Sequence, residues 1–301
     1  MKNLGITAVC AVALTAGAHA TTITTVDPTA DPSGTAAALA AATLAPGSGI
    51  SIIAGSETYV GEPGQGGTYS DFSISNGSTT IALAHDGIVL TSGDAGGILV
   101  AENTDPSFDG SLGTPGNALL ETLTPSTTFD ANVLSFEFAV EPGMTSVSAS
   151  FVFGTDEYPD QSVTDIFGVF VDGVNYAEFS DGSVINFELG SISAGFFNDN
   201  DVGSLTPFVT NTGDAIQYDG ILSVLTVTGL LDLSLTTHMI VIAIADTSDT
   251  IFDSGVFFGG LMAGTATGGG ITPTPEIPLP AGGLLMLTGL GALTLRGLRK
   301  I

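Results

Sequence analysis

The chain has no tryptophan, one cysteine, three histidines and four basic residues among 301. Each scarcity excludes something. Cys10 sits in the first twenty residues, so the rest of the chain offers no thiol for disulfides, metal ligation or nucleophilic attack. Without tryptophan, and with five tyrosines, it has little of the flat aromatic surface that large rings give to a binding groove. The two histidines after residue 20, His85 and His238, are too few for a histidine-rich metal centre. No Gly-x-Ser-x-Gly elbow, phosphate-cradling glycine loop, dinucleotide fingerprint or His-Glu-x-x-His pair occurs.

The basic residues are also confined in place. Lys2 opens the chain, and Arg296, Arg299 and Lys300 close it. Residues 21–276 hold all 31 acidic residues and no lysine or arginine, a formal charge of −31. Such a body repels nucleic acid and anionic lipid, so partners of those kinds are excluded. Its carboxylates must be solvated, hydrogen-bonded or neutralised by cations, because a buried charge without a partner is too costly to keep. This is not an acidic disordered tail: hydrophobic residues make up 44% of the chain, including 17 phenylalanines, which is enough to build a large core.

Both ends read as signals. Lys2 precedes an apolar stretch over 4–16, and Ala18-His19-Ala20 supplies the small-x-small pattern of signal-peptidase cleavage after Ala20. At the other end, Ile277, Pro278, Leu279, Pro280 and Ala281 lead into an apolar stretch broken by Gly282, Gly283, Gly289 and Gly291, then the basic tail. About 15 apolar residues at 1.5 Å rise reach roughly 22 Å, short of a ~30 Å hydrocarbon core. A transient, processed membrane segment fits this better than a permanent anchor. The expected division is a signal peptide at 1–20, a folded domain at 21–264, a Gly/Thr/Pro linker at 265–276 and a sorting segment at 277–301.

Between the ends, strand signals dominate. Ser33 is expected to cap one short helix over 35–45, ended by Pro46-Gly47. Apolar or alternating runs at 50–54, 70–74, 79–84, 87–91, 133–140, 145–153, 166–171, 184–189, 222–228, 237–245 and 256–262 are separated by Gly, Asn and Asp. Residues 117–123 add a helical turn or two. Short alternating strands with few helical periods predict a mainly β protein, an antiparallel β-sandwich of jelly-roll-like type with one or two short helices. An N-terminal signal helix and a C-terminal hydrophobic helix would flank it.

Two acidic clusters fall in expected loops. Asp156, Glu157, Asp160 and Asp165 lie between two strands, and Asp246, Asp249 and Asp253 between two others. Hard oxygen ligands on loops suit Ca²⁺, which takes 6–8 oxygens in flexible geometry. Solvated turn carboxylates capping backbone N–H groups are the alternative. Tyr158 and Tyr218 read as packing residues, and Phe167, Phe170, Phe257 and Phe258 as core.

Taken together, Gly87-Ile88-Val89-Leu90-Thr91-Ser92-Gly93-Asp94, Phe151-Val152-Phe153-Gly154-Thr155-Asp156-Glu157-Tyr158-Pro159-Asp160, Asp165-Ile166-Phe167-Gly168-Val169-Phe170, Ile216-Gln217-Tyr218-Asp219-Gly220 and Phe252-Asp253-Ser254-Gly255-Val256-Phe257-Phe258 resemble the choice-of-anchor L domain family. Thr155-Asp156 stands where Ser-Glu is common in that family. Ile277-Pro278-Leu279-Pro280-Ala281-Gly282 resembles the VPLPA-type sorting signal, a relative of the PEP-type signals. These resemblances imply an exported, non-enzymatic structural or adhesive protein, displayed on the cell surface or in the extracellular matrix of a Gram-negative bacterium. They imply signal peptidase and an exosortase-like enzyme as processing partners, and no catalytic assignment. Ca²⁺ could bridge its carboxylates to anionic exopolysaccharide, and the membrane would be met only through the C-terminal segment before processing. The competing reading is a secreted glycosidase-like hydrolase using Asp156 and Glu157 with Asp253, which would require those carboxylates to line a cleft.

Overall fold

The computed structural model of the chain describes residues 20–159, 161, 164–188 and 191–273. Signal residue Ala18, the candidate ligand Asp160, the sorting motif at 277–281 and the expected C-terminal helix lie outside them. Among the described residues, no helix is long and apolar enough to cross a membrane.

Ten strands matter here and are numbered in chain order: β1 (Thr22–Thr25), β2 (Gly66–Ser70), β3 (Gly87–Thr91), β4 (Thr128–Val140), β5 (Ser146–Thr155), β6 (Ile166–Val171), β7 (Leu225–Leu230), β8 (His238–Thr247), β9 (Ser254–Gly264) and β10 (Gly270–Pro273). One sheet runs β1-β2-β3-β9-β5. The far edge of β5 is shared, with β7 and then β10 along its first part, and a short strand at Gly220–Leu222 at its end. A second sheet centres on β6-β8-β4, and a third is built of five short strands. All pairings between these strands are antiparallel, as the period-2 patterning predicts.

The first sheet is the middle layer, and its alternation shows in neighbouring residues. Ile88, Leu90, Phe151, Phe153, Val256 and Phe258 face the second sheet, where they meet Leu134, Phe136, Phe138, Phe167, Ile242 and Ile244. Val89, Val152 and Phe257 point the other way, onto Tyr69, Phe72, Ile74 and Phe208 under the third sheet. The middle sheet is thus buried on both faces, which is why its strands read as nearly continuous apolar runs. The outer face of the second sheet is covered around Leu120, Val133, Phe170 and Ala243. Phe167, Phe170, Phe257 and Phe258 are all buried, as the sequence indicates.

Several local expectations are corrected. The α-helix spans Pro32–Thr43, and Asp31 caps it by accepting from Gly34 N; Ser33 lies inside the helix. The run 70–74 is broken at Asp71, whose φ of 51° ends one strand and opens another at Ser73–Ser75. Within the expected run 184–189, the described residues 184–188 form no strand: Val184 and Ile185 make isolated bridges to Glu178 and Phe167. Part of the expected linker is structured, because β10 pairs with β7 from Gly270 to Pro273.

Candidate functional site

The two acidic segments converge at one end of the sandwich, although Asp246 lies inside β8 and not in the expected loop, and the register of the sheets explains the convergence. β5 ends at Thr155, opposite Ser254 at the start of β9, which leaves Asp156 and Asp253 as the next facing residues. β6 begins at Ile166, opposite Ala245 of β8, which leaves Asp165 facing Asp246. Each sheet therefore ends in a cross-strand pair of aspartates at the same end of the molecule. Asp156, Glu157, Asp165, Asp246 and Asp253 are all at most 2% exposed.

The pair on the middle sheet is held by backbone amides. Residues 108–114 cross this end as an extended strap, and alternate N–H groups along it point at carboxylates. Phe108 N donates to Asp156 Oδ2, and Gly110 N donates to Asp253 Oδ2 at 2.7 Å. Leu112 N donates to Asp130 Oδ2 at 3.0 Å, and Thr114 N and Oγ1 both donate to Asp130 Oδ1. Asp156 Oδ1 also accepts from Asp219 N at 3.1 Å. Amide donors do here what lysine and arginine would do elsewhere, because hydrogen bonds to a charged acceptor are the strong ones.

Asp130 reaches this position from a bulge. β4 and β8 pair Asn132 with Ile244 and Phe129 with Asp246, so two residues of β4 oppose one of β8. Asp130 adopts φ 48° there, a left-handed conformation that Asp tolerates better than most residues. Gly93 is required beneath the strap, because a Cβ on it would lie 1.6 Å from Asp253 Oδ2.

The pair on the second sheet is treated differently. Ser254 Oγ lies 2.6 Å from Asp165 Oδ2 and 2.8 Å from Thr155 Oγ1. With one proton to give, it donates to the carboxylate and accepts from the threonine. Asp165 Oδ1, both oxygens of Asp246 and Asp253 Oδ1 are buried without a hydrogen-bond partner. The Ser92 side chain favours ionised Asp246 electrostatically without closing a bond of normal geometry to it.

Burial dominates the electrostatics. It pushes Asp156 up to about 9, with the charge of Asp219 adding to it, and Glu157 to about 9, with Asp249 and Asp246 adding. Asp246 rises to about 11 through burial and then Asp165. Asp253 rises to about 7 through burial and then Asp109. Asp219 also reaches about 7 by burial, opposed by a hydrogen bond from Asn103. Asp165 is raised well above the usual carboxylate range by burial and by Glu157.

Of the seven expected ligands, five are thus gathered and buried. Asp249 sits at the rim, where Oδ1 accepts from Ile251 N at 3.3 Å, and Asp160 lies outside the described residues. Among the described residues, no three acidic or histidine side chains form a ready-made metal centre. Asp130 and Asp219 belong to this end and were not anticipated; the signal for Asp130 was an acid interrupting the apolar pattern of a strand. Tyr218 is fully buried, with its ring against Phe108, as expected of a packing residue. It occupies the space left by Gly154 and Gly255, a facing cross-strand pair. Tyr158 is partly buried and packs on Phe187 and Phe197.

One surface cavity, around Leu123, Thr164, Val184 and Thr247, lies beside Asp165 and Asp246 in the chain, and another lies around Thr22, Thr68 and Asp86; neither is lined by Asp156, Glu157 or Asp253. His238 pairs with Asp172 at 2.8 Å at the opposite end of the sandwich.

A family model for the choice-of-anchor L domain matches residues 29–261. No curated protein matches the chain, and no solved structure does.

Proposed function

The chain belongs to the choice-of-anchor L domain family, and from that premise we propose that it is an exported, surface-displayed module with a structural or adhesive role rather than a catalytic one. Membership makes it surface-associated. The finer reading is export through the segment 1–20, sorting through 277–301 by an exosortase-like enzyme, and residence at the outer surface or in the matrix of a Gram-negative cell. Ca²⁺ stiffens its carboxylate end and bridges the body to anionic exopolysaccharide.

The observation that carries this reading is the charge partition: all 31 acids fall within 21–276 and all four bases outside it. The topology agrees with a tail leaving a finished body. Among the described residues β10 is the last paired strand, and it runs parallel in direction to β5, so at Pro273 the chain is heading toward the carboxylate end. The hydrolase alternative needs exposed, adjacent acids. Asp156 and Asp253 are instead buried, and both accept backbone N–H groups.

The test is fractionation of cells producing the full chain or a chain ending at residue 276. The full chain is expected with the cell surface or matrix and the shortened one in the medium. Surface retention of the shortened chain would overturn the sorting reading.

A further inference from the structure

The two aspartate pairs at the carboxylate end provide an internal comparison. Their positions are similar, each one residue beyond the last ladder pair of β5 with β9 or of β6 with β8, although Asp246 still pairs with Phe129 of β4 on its other side. Facing residues of an antiparallel pair put their side chains on one face with Cβ atoms about 5 Å apart, where like charges repel. Asp156 and Asp253 meet this difficulty with three backbone donors. Asp165 has the Ser254 hydroxyl, with the Thr247 backbone also favouring its ionised form, and Asp246 has only the electrostatic help of the Ser92 side chain. Asp246 is completely buried, and neither of its oxygens has a hydrogen-bond partner.

We propose that Asp165 and Asp246 form the core of a single Ca²⁺ site that ties the entry of β6 to the end of β8, with Glu157 and the free oxygen of Asp253 beside it. This rests on the calcium part of the functional reading and narrows it to one centre. Asp156 and Asp130 are strap-holding residues and not ligands, and Asp249 is a rim residue. Three features favour a hard cation of flexible coordination. The donors are all oxygen. The body supplies no lysine or arginine to take the cation's place. Two carboxylates, not three, are already adjacent, so the remaining ligands are water and main-chain oxygens, which Ca²⁺ accepts and which the stricter octahedron of Mg²⁺ fits poorly. Glu157 closes on the ion as a further carboxylate, since the free arrangement holds no three acids together.

The test uses the full chain stripped with EDTA. Calorimetric titration with CaCl₂ is expected to give one ion per chain, and free Ca²⁺ at about 100 times Kd should raise Tm by about 5–10 °C, with MgCl₂ doing less. D246N should lose the binding and the Tm rise, yet melt in EDTA no lower than the parent, because a neutral amide of the same shape replaces a buried carboxyl whose oxygens have no hydrogen-bond partner. D165N should give the same loss independently, and D249N should bind as the parent does. Calcium binding that survives undiminished in D246N and D165N would overturn this site while leaving the calcium reading intact. A parent chain whose Tm and heat of mixing ignore Ca²⁺ would overturn both.

Discussion

Asp130 offers the sharpest test of the idea that carboxylates in this body are held by backbone amides. Replacing it with alanine removes the acceptor for Leu112 N, Thr114 N and Thr114 Oγ1. It also leaves a Cβ residue at φ 48° without the local hydrogen bonding that lets Asp adopt that conformation, at about 1 kcal/mol. A donor left without a partner costs about 1–3 kcal/mol when buried. Leu112 is 37% exposed, so water replaces part of that loss, and the low end of the range applies to each N–H. The sum is about 3 kcal/mol, or a Tm lower by about 6–12 °C for a domain of this size. D130N keeps one carbonyl acceptor and a side chain that tolerates the left-handed region, and should lose about a third as much. D130G relieves the backbone but supplies no acceptor, and should fall between them. Differential scanning calorimetry gives the ranking, and amide exchange locates it: Leu112 and Thr114 should exchange faster in D130A while the centre of β8 stays protected. A D130A Tm within about 2 °C of the parent, or unchanged exchange along the strap, would refute the reasoning.

The raised carboxylates set a pH dependence of definite sign. Asp253 and Asp219 protonate near 7 and Asp156 and Glu157 near 9 in the folded chain, against about 4 when unfolded. Their contribution to stability is therefore complete below about pH 4 and is lost as pH rises through 7 and then 9. Tm in EDTA should fall between about pH 5 and pH 9, and a flat or rising curve would contradict the burial of these groups. G154A should fold less stably, because its Cβ would lie 2.4 Å from the ring of buried Tyr218; overpacking of this kind costs about 1–3 kcal/mol, and an unchanged Tm would show that the ring can move aside.

The strands were legible wherever burial imposed a pattern. The run 166–171 was recovered as Ile166–Val171 and 87–91 as Gly87–Thr91, because a strand buried on both faces leaves a bounded apolar run. The same signal misled at 184–189. Ile185 and Phe187 are buried, but apolar spacing reports burial and not ladder pairing. At the helix start Asp31 caps in place of the expected Ser33, because it holds the non-helical φ of −147° and ψ of 81°, a backbone conformation that composition does not encode. For the site, residue types pointed to the acids of two loops. What joined those loops was the register of β5 with β9 and of β6 with β8, a long-range property. The strap at 108–114 was invisible for a related reason, since its amides have no side-chain signature.

The two treatments of carboxylate at one end of the sandwich follow from the missing bases. A lysine or arginine can swing to whichever acid needs it, whereas a strap of amides serves only the acids that its spacing meets. Donors recur at every second residue, from Phe108 to Thr114, so the strap serves Asp156, Asp253 and Asp130 and ends there. Asp165 and Asp246 lie beyond its spacing and receive nothing from it. Adding an amide donor would need another strap, and adding a base would need a side chain that the whole stretch 21–276 lacks. Protons or a mobile cation are the remaining ways to neutralise that pair. Protons serve up to the raised titration range of these groups, and a divalent cation serves above it. The same constraint acts outside the body. Two copies, or one copy and an anionic polymer, repel beyond contact with no basic patch to reverse the sign, over about 10 Å at 0.1 M salt. The adhesive role proposed for this surface therefore predicts adhesion that rises with divalent cation rather than with falling ionic strength, the opposite of what a basic adhesin would show.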